Sequence, residues 1–84
     1  MNVPEFDPQR GLRFEWEDGF EIGVEVVDAE VRLVANRAGL VSLARHLLTL
    51  AQDGVPSGRH MHLVADQELE SSVDLIIERR DGWS

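Results

Sequence analysis

The sequence contains no cysteine, and its eight cationic residues are all arginine. The lack of cysteine excludes disulfide bonds, zinc sites built on thiolates and a cysteine nucleophile. Because only three phenylalanines, two tryptophans and no tyrosine are present, the core must be mainly aliphatic. No apolar run approaches the ~18 residues that a membrane span needs, and the first eight residues do not read as a signal peptide. A cytoplasmic location without membrane contact is therefore expected.

Negative charge is concentrated in the first third of the chain. Residues 1–30 hold nine acids and two arginines, whereas residues 31–84 hold seven acids and six arginines, which together give the net charge of −8. Such a field opposes nucleic acids and anionic lipids and favours a basic partner. The length predicts a single domain, 1–84, and a hydrophobic content of 43% favours a folded chain over disorder.

The beginning of the chain predicts an arm followed by two strands. Residues 1–10 contain Pro4 and Pro8 and are expected to be extended or flexible. From Leu12 onward, apolar and polar residues alternate, which is the pattern of a half-buried strand. The residues predicted to face the core are Leu12, Phe14, Trp16, Phe20, Ile22, Val24 and Val26.

Two hairpin turns are predicted from this alternation. A three-residue loop at 17–19 keeps Trp16 opposite Phe20 and requires Gly19 at positive φ. The same register places Glu15 opposite Glu21, a like-charge pair that weakens the strands. A third strand then runs from Glu30 to Ala35, and a two-residue turn joins it to the second strand. That turn is Asp28-Ala29, and the register pairs Val26 with Val31, Val24 with Leu33 and Glu25 with Arg32.

The clearest element is a helix that begins after the N-cap residue Asn36 and stops before Gly54 and Pro56. The residues expected on its core face are Leu40, Leu43, Ala44, Leu47, Leu50 and Ala51. Those expected on its polar, outer face are Ser42, Arg45, His46, Thr49, Gln52 and Asp53. Gly39 is expected to weaken the helix relative to alanine.

Two further strands, from His60 to Ala65 and from Val73 to Arg79, complete the predicted fold. The fold class is α+β: an antiparallel sheet of about five strands in the order β-β-β-α-β-β, with one amphipathic helix packed on one face. The other face of the sheet is open to water or to a partner. Near the end of the chain, Trp83 either covers an edge of the core or anchors a partner.

The open face carries the candidate partner-binding residues, which are Glu15, Glu17, Glu21, Glu25, Val34 and Ile76. The acids favour a basic protein partner, and their alternative role is to keep the protein soluble. The apolar residues Val34, Val64 and Ile76 offer a second interpretation, a homodimer or other interaction module. Both interpretations make the chain a binding protein.

A metal-dependent enzyme is a third interpretation, because His60 and His62 project from the same face of a strand near Asp74 and Glu78. No closed pocket or second shell of ligands is evident, and hydrogen bonds from the histidines to loop backbone are the alternative. None of the serines lies in a nucleophile elbow. The sequence therefore predicts no catalytic residues, no metal and no cofactor.

Three segments together resemble a known family: residues 35–51, residues 55–63 with their Pro-x-Gly-x-His-x-His-Leu pattern, and residues 73–77. They are similar to small bacterial immunity proteins of polymorphic toxin systems, in the family numbered thirty-two. The resemblance implies a non-enzymatic inhibitor that binds and neutralises a cognate toxin in the cytosol. It implies no catalytic residues.

Overall fold

The structure, a computed structural model, describes residues 1–82, so the predicted roles of Trp83 lie outside the described residues. These residues form one helix and four strands: β1 Ile22–Val27, β2 Glu30–Ala35, α1 Arg37–Leu50, β3 His60–Leu63 and β4 Leu75–Glu78. β1 pairs with β2 and β3 pairs with β4, each antiparallel. The α+β class is confirmed, but the prediction of one sheet of about five strands is wrong. Two separate two-stranded sheets are present instead.

The missing strand is the first predicted one, at residues 12–17. Its apolar residues Leu12, Phe14 and Trp16 pack against the core as the alternation predicts, yet the segment joins neither sheet. The reason lies at Glu17, whose N–H donates to Ser42 Oγ at 2.9 Å and whose carboxylate accepts from Arg45 at 2.7 Å. Because both groups of Glu17 bind the helix, the segment lies against α1 and not along β1.

The turn at residues 17–19 forms without the strand that should precede it. Gly19 has a φ of 77°, which confirms the predicted positive φ. Trp16 and Phe20 also meet across the turn, with ring centroids 4.4 Å apart. Because no ladder joins the two sides, however, the predicted opposition of Glu15 and Glu21 is wrong.

The hairpin of β1 and β2 has the predicted register throughout. Val26 pairs with Val31 and Glu25 with Arg32 across a two-residue turn. In that turn Asp28 has a φ of 47° and Ala29 a φ of 64°, as two-residue hairpin turns require. The end of the hairpin near this turn extends beyond the core. As a result Val26, Val31 and Leu33, all predicted to face the core, are exposed to 61%, 71% and 45%.

The core is a cluster drawn from the helix, both sheets and the loop after β3. Its buried members are Ile22, Val24, Leu43, Leu50, Met61, Leu63 and Leu69. The helix that crosses it has only 14 residues, and no helix within residues 1–82 is long and apolar enough to cross a membrane.

The helix begins where predicted but is rotated about its axis relative to the prediction. Asn36 caps it by accepting a hydrogen bond from the Gly39 N–H at 2.8 Å. Leu43 and Leu50 are buried as expected. Three residues assigned to the polar face, Ser42, His46 and Thr49, are also buried, whereas three leucines are half exposed. Those leucines are Leu40, Leu47 and Leu48.

The rotation of α1 has identifiable physical causes. Gly39 lies so close to the β1–β2 hairpin that a Cβ there would overlap the Glu21 carbonyl oxygen and approach the Ile22 side chain to 2.9 Å. The buried hydroxyls of Ser42 and Thr49 are each satisfied by a carbonyl of the preceding turn, at 2.8 and 2.7 Å. Ser42 and Thr49 can therefore be buried at little cost.

Residues 2–6 also lie against this side of the helix. The Gln52 side chain accepts from the Phe6 N–H at 2.9 Å and donates to the Pro4 carbonyl at 2.7 Å. Arg45 donates to the Asn2 carbonyl at 2.9 Å. Together with residues 12–17, this segment covers the side of α1 that the sequence pattern assigns to solvent.

His46 is fully buried among aromatic rings. Its ring centroid lies 4.3 Å from that of Trp16 and 5.1 Å from that of Phe14, both edge to face. Neither ring nitrogen has a hydrogen-bond partner within the described residues. Burial first, and then the charge of Arg45, lower the pKa of His46 from 6.5 to about 4. The imidazole is therefore neutral at physiological pH.

We expect Gly39→Ala to destabilise the fold although alanine is the better helix former. Helix propensity alone predicts a gain of about 1 kcal/mol. The new Cβ would instead overlap the backbone of residue 21, and overpacking of this kind costs about 1–3 kcal/mol. Chemical denaturation followed by circular dichroism measures the sign. A variant more stable than wild type would contradict the close contact between helix and hairpin.

The burial of His46 predicts a loss of stability in mild acid. Because its folded pKa of about 4 lies below the unfolded 6.5, the unfolded chain binds the proton first. The contribution is fully present above pH 6.5 and is lost as the pH falls towards 4, by roughly 3 kcal/mol. His46→Leu removes this term and serves as the reference. If the free energies of unfolding of the two proteins change in parallel between pH 7 and pH 4, His46 is not buried in the neutral form.

Candidate functional site

Three of the six predicted partner-binding residues line one groove. Glu21, Glu25 and Val34 surround a cavity of about 370 Å³ on the face of the β1–β2 hairpin that carries Glu25 and Arg32. Glu70 completes the wall, and Ile22, Gly23, Ala35 and Asn36 line the rest. The groove is therefore acidic, with an apolar contact at Val34.

The hairpin register places these side chains together. Gly23 pairs with Val34, and both residues line the groove. Glu21 is held at one end by Asn36, whose Nδ2 donates to Glu21 Oε1 at 3.3 Å while its Oδ1 accepts from the Glu21 N–H at 3.0 Å. The N-cap of α1 is thus also a wall of the groove.

Glu70 is the groove residue that sequence reasoning missed. Its N–H donates to the Ile22 carbonyl at 2.8 Å, which fastens the loop after β3 to the edge of β1. A Cβ on Gly23 would lie 3.2 Å from the Glu70 carbonyl oxygen, so the glycine permits this close approach. The long separation between residues 22 and 70 leaves no periodic signal in the sequence.

The other three predicted residues lie elsewhere. Glu17 is bound to Arg45, whose side chain is only 13% exposed, so this acid contributes to the fold. Glu15 is exposed but does not line the groove. Ile76 is 57% exposed on β4, in the other sheet. The predicted surface is therefore not one continuous face, because its residues are divided between two sheets and a segment outside both.

The groove can hold a positively charged side chain. Carboxylates are acceptors only, and a guanidinium or ammonium group supplies the matching donors and charge. Of the arginines, Arg32 lies beside the groove through its pairing with Glu25. The geometry suits recognition of a basic residue on another protein.

The two histidines that the metal interpretation would have used make separate contacts. His62 Nε2 lies 2.8 Å from Asp74 Oδ2, whereas His60 Nδ1 lies 3.3 Å from the Gly58 carbonyl oxygen, the alternative contact to loop backbone. The N–H of Ala65 donates to Asp74 Oδ1 at 2.7 Å. This hydrogen bond, followed by that of His62, lowers the pKa of the Asp74 carboxyl. Within residues 1–82 no group of three metal-ligating side chains is present.

Comparison with known proteins identifies the family. No curated protein and no solved structure matches the chain. Residues 30–80, more than half of the chain, match the family described as Immunity protein 32. The matched region contains β2, α1, β3, β4 and the loop between β3 and β4, and therefore Val34, Glu70 and Ile76. Glu21 and Glu25 precede it. The chain belongs to the Immunity protein 32 family.

Proposed function

We propose that this protein neutralises a cognate bacterial toxin in the cytoplasm by binding it, without catalysis. Family membership supports a protein partner in general. The observation that carries the finer proposal is the acidic groove, in which Glu21, Glu25 and Glu70 line one cavity. A basic side chain of the toxin would enter this groove, and the surrounding negative charge would steer the approach.

A toxin that acts on nucleic acid would supply such a basic surface, because its substrate is a polyanion. The net charge of −8 adds long-range attraction to the local contact. In this arrangement the immunity protein covers part of the surface that the substrate needs. Inhibition then requires only that the lifetime of the complex exceed the time between the toxin's encounters with its substrate.

The homodimer built on Val34 and Ile76 receives less support. The two side chains belong to β2 and β4, which lie in different sheets. Val34 also lines the acidic groove, where a second copy would bring more negative charge. The toxin is therefore the preferred occupant of the groove.

The proposal is tested with the cognate toxin domain, for which the product of the adjacent gene is the first candidate to assay. We expect the variant Glu21→Gln, Glu25→Gln, Glu70→Gln to associate about tenfold more slowly at low salt, because three charges leave the binding surface. Cells that express the toxin domain should lose protection. Stopped-flow association at several salt concentrations and growth after induction are the measurements.

The matched control is Glu5→Gln, Glu15→Gln, Asp53→Asn, which also removes three negative charges but leaves the groove intact. Both variants keep the side-chain sizes and have the same net charge. If the control lowers the association rate as much as the groove variant does, steering by total charge explains the effect and the groove has no special role. If neither variant changes binding or protection, the acidic groove is not the toxin site.

A further inference from the structure

Among residues 1–82, none pairs with the outer edge of β2. Within the described residues β2 pairs with β1 alone, and its first five residues are exposed. The Asn36 N–H donates to the Glu21 carbonyl at 3.1 Å, beside the Ile22–Ala35 pair. In an antiparallel ladder this bond marks Ile22–Ala35 as a pair without mutual hydrogen bonds. The N–H and C=O groups of Val31 and Leu33 therefore point away from β1, along the open edge.

The side chains at this edge do not protect it. Natural edges are commonly blocked by lysine, proline, bulges or inward-pointing charges. On one face of this hairpin end lie Val26, Val31 and Leu33, all substantially exposed. On the other face the strand carries one acid and one base, Glu30 and Arg32. A strand with this pattern is complementary in charge to an antiparallel copy of itself.

We infer that two copies of the chain associate through β2, forming a continuous four-stranded sheet across a two-fold axis. The bonds would be those of strand addition, with the outward N–H and C=O groups of Val31 pairing with those of Val31 in the second copy. This self-association goes beyond the proposed toxin binding and does not depend on it.

The side chains select one register for this contact. A two-fold axis perpendicular to the sheet keeps each face on its own side, so the contact is centred on a residue opposite itself. Centring on Arg32 opposes two arginines, and centring on Leu33 places Arg32 against Val34. Centring on Val31 places Glu30 opposite Arg32 of the second copy, twice by symmetry, with Leu33 beside the small Ala29. The last register has both charge and size complementarity.

This contact leaves most of the acidic groove free. The pairing uses residues 29–33 near the hairpin turn, whereas most of the groove lies around Glu21, Gly23 and Val34, farther from the turn. The two regions meet at Glu25, which lines the groove and pairs with Arg32. A dimer would therefore present two grooves. A second copy is favoured over the toxin as the partner of the β2 edge, because Glu30 and Arg32 of one copy are complementary in charge to Arg32 and Glu30 of the other.

Sedimentation equilibrium of the wild-type chain and two charge variants tests the inference. Glu30→Arg alone and Arg32→Glu alone each create two like-charge pairs in their own dimer and should weaken it about tenfold. An equimolar mixture restores two opposite-charge pairs, so the mixed dimer should recover wild-type affinity. The Arg32→Glu variant also places a second acid beside Glu25. This repulsion is present in the monomer, in the variant's own dimer and in the mixed dimer, so it does not affect the comparison of their affinities.

A pair of proline variants tests the backbone contact. Val31→Pro removes an N–H from the open edge of β2, whereas Val26→Pro removes one from the opposite edge of the same hairpin. Neither change removes a bond between β1 and β2, and only Val31→Pro should abolish association. Any of three results would overturn the inference. The wild-type chain stays monomeric at about 1 mM, the two proline variants weaken association equally, or the mixture of the two charge variants does not recover wild-type affinity. A monomer whose Val31→Pro variant loses toxin binding would assign the edge to the toxin.

Discussion

The attachment of residues 12–17 to α1 is the interaction on which much of the remaining structure depends. Glu17 binds Ser42 through its backbone and Arg45 through its carboxylate, while Phe14 and Trp16 pack on His46. The Arg45 side chain is mostly buried, so its ion pair with Glu17 is less screened than an exposed pair would be. With this side of the helix covered, Leu40, Leu47 and Leu48 lie towards solvent.

The same attachment determines how the strands are distributed. Because residues 12–17 bind the helix, they are not available to extend the sheet from β1. The edge of β1 is instead met by the loop after β3, through the bond from Glu70 to Ile22. That bond brings a third carboxylate to Glu21 and Glu25 and so completes the acidic groove. The candidate site is therefore a consequence of the packing of the N-terminal segment.

The surface that results has two separate features. The groove is acidic and suits a basic side chain, whereas the β2 edge combines open backbone groups with exposed Val31 and Leu33. The two features are centred on different parts of one hairpin and meet at the Glu25–Arg32 pair. In the proposed dimer, each copy would keep its own groove for the proposed toxin.

The sequence alone determined the local elements and the family. The two-residue turn at Asp28-Ala29, the register of β1 with β2, the Asn36 cap and the positive φ of Gly19 all depend on residues close in the chain. Burial of Ser42, His46 and Thr49 and the arrival of Glu70 depend on residues far apart, and only the tertiary structure decided them. The helix is apolar over a wide arc, so periodicity could not tell which part faces the core. The orientation of α1 is determined by Gly39, which lets the hairpin approach, and by Glu17, which binds residues 12–17 to the helix.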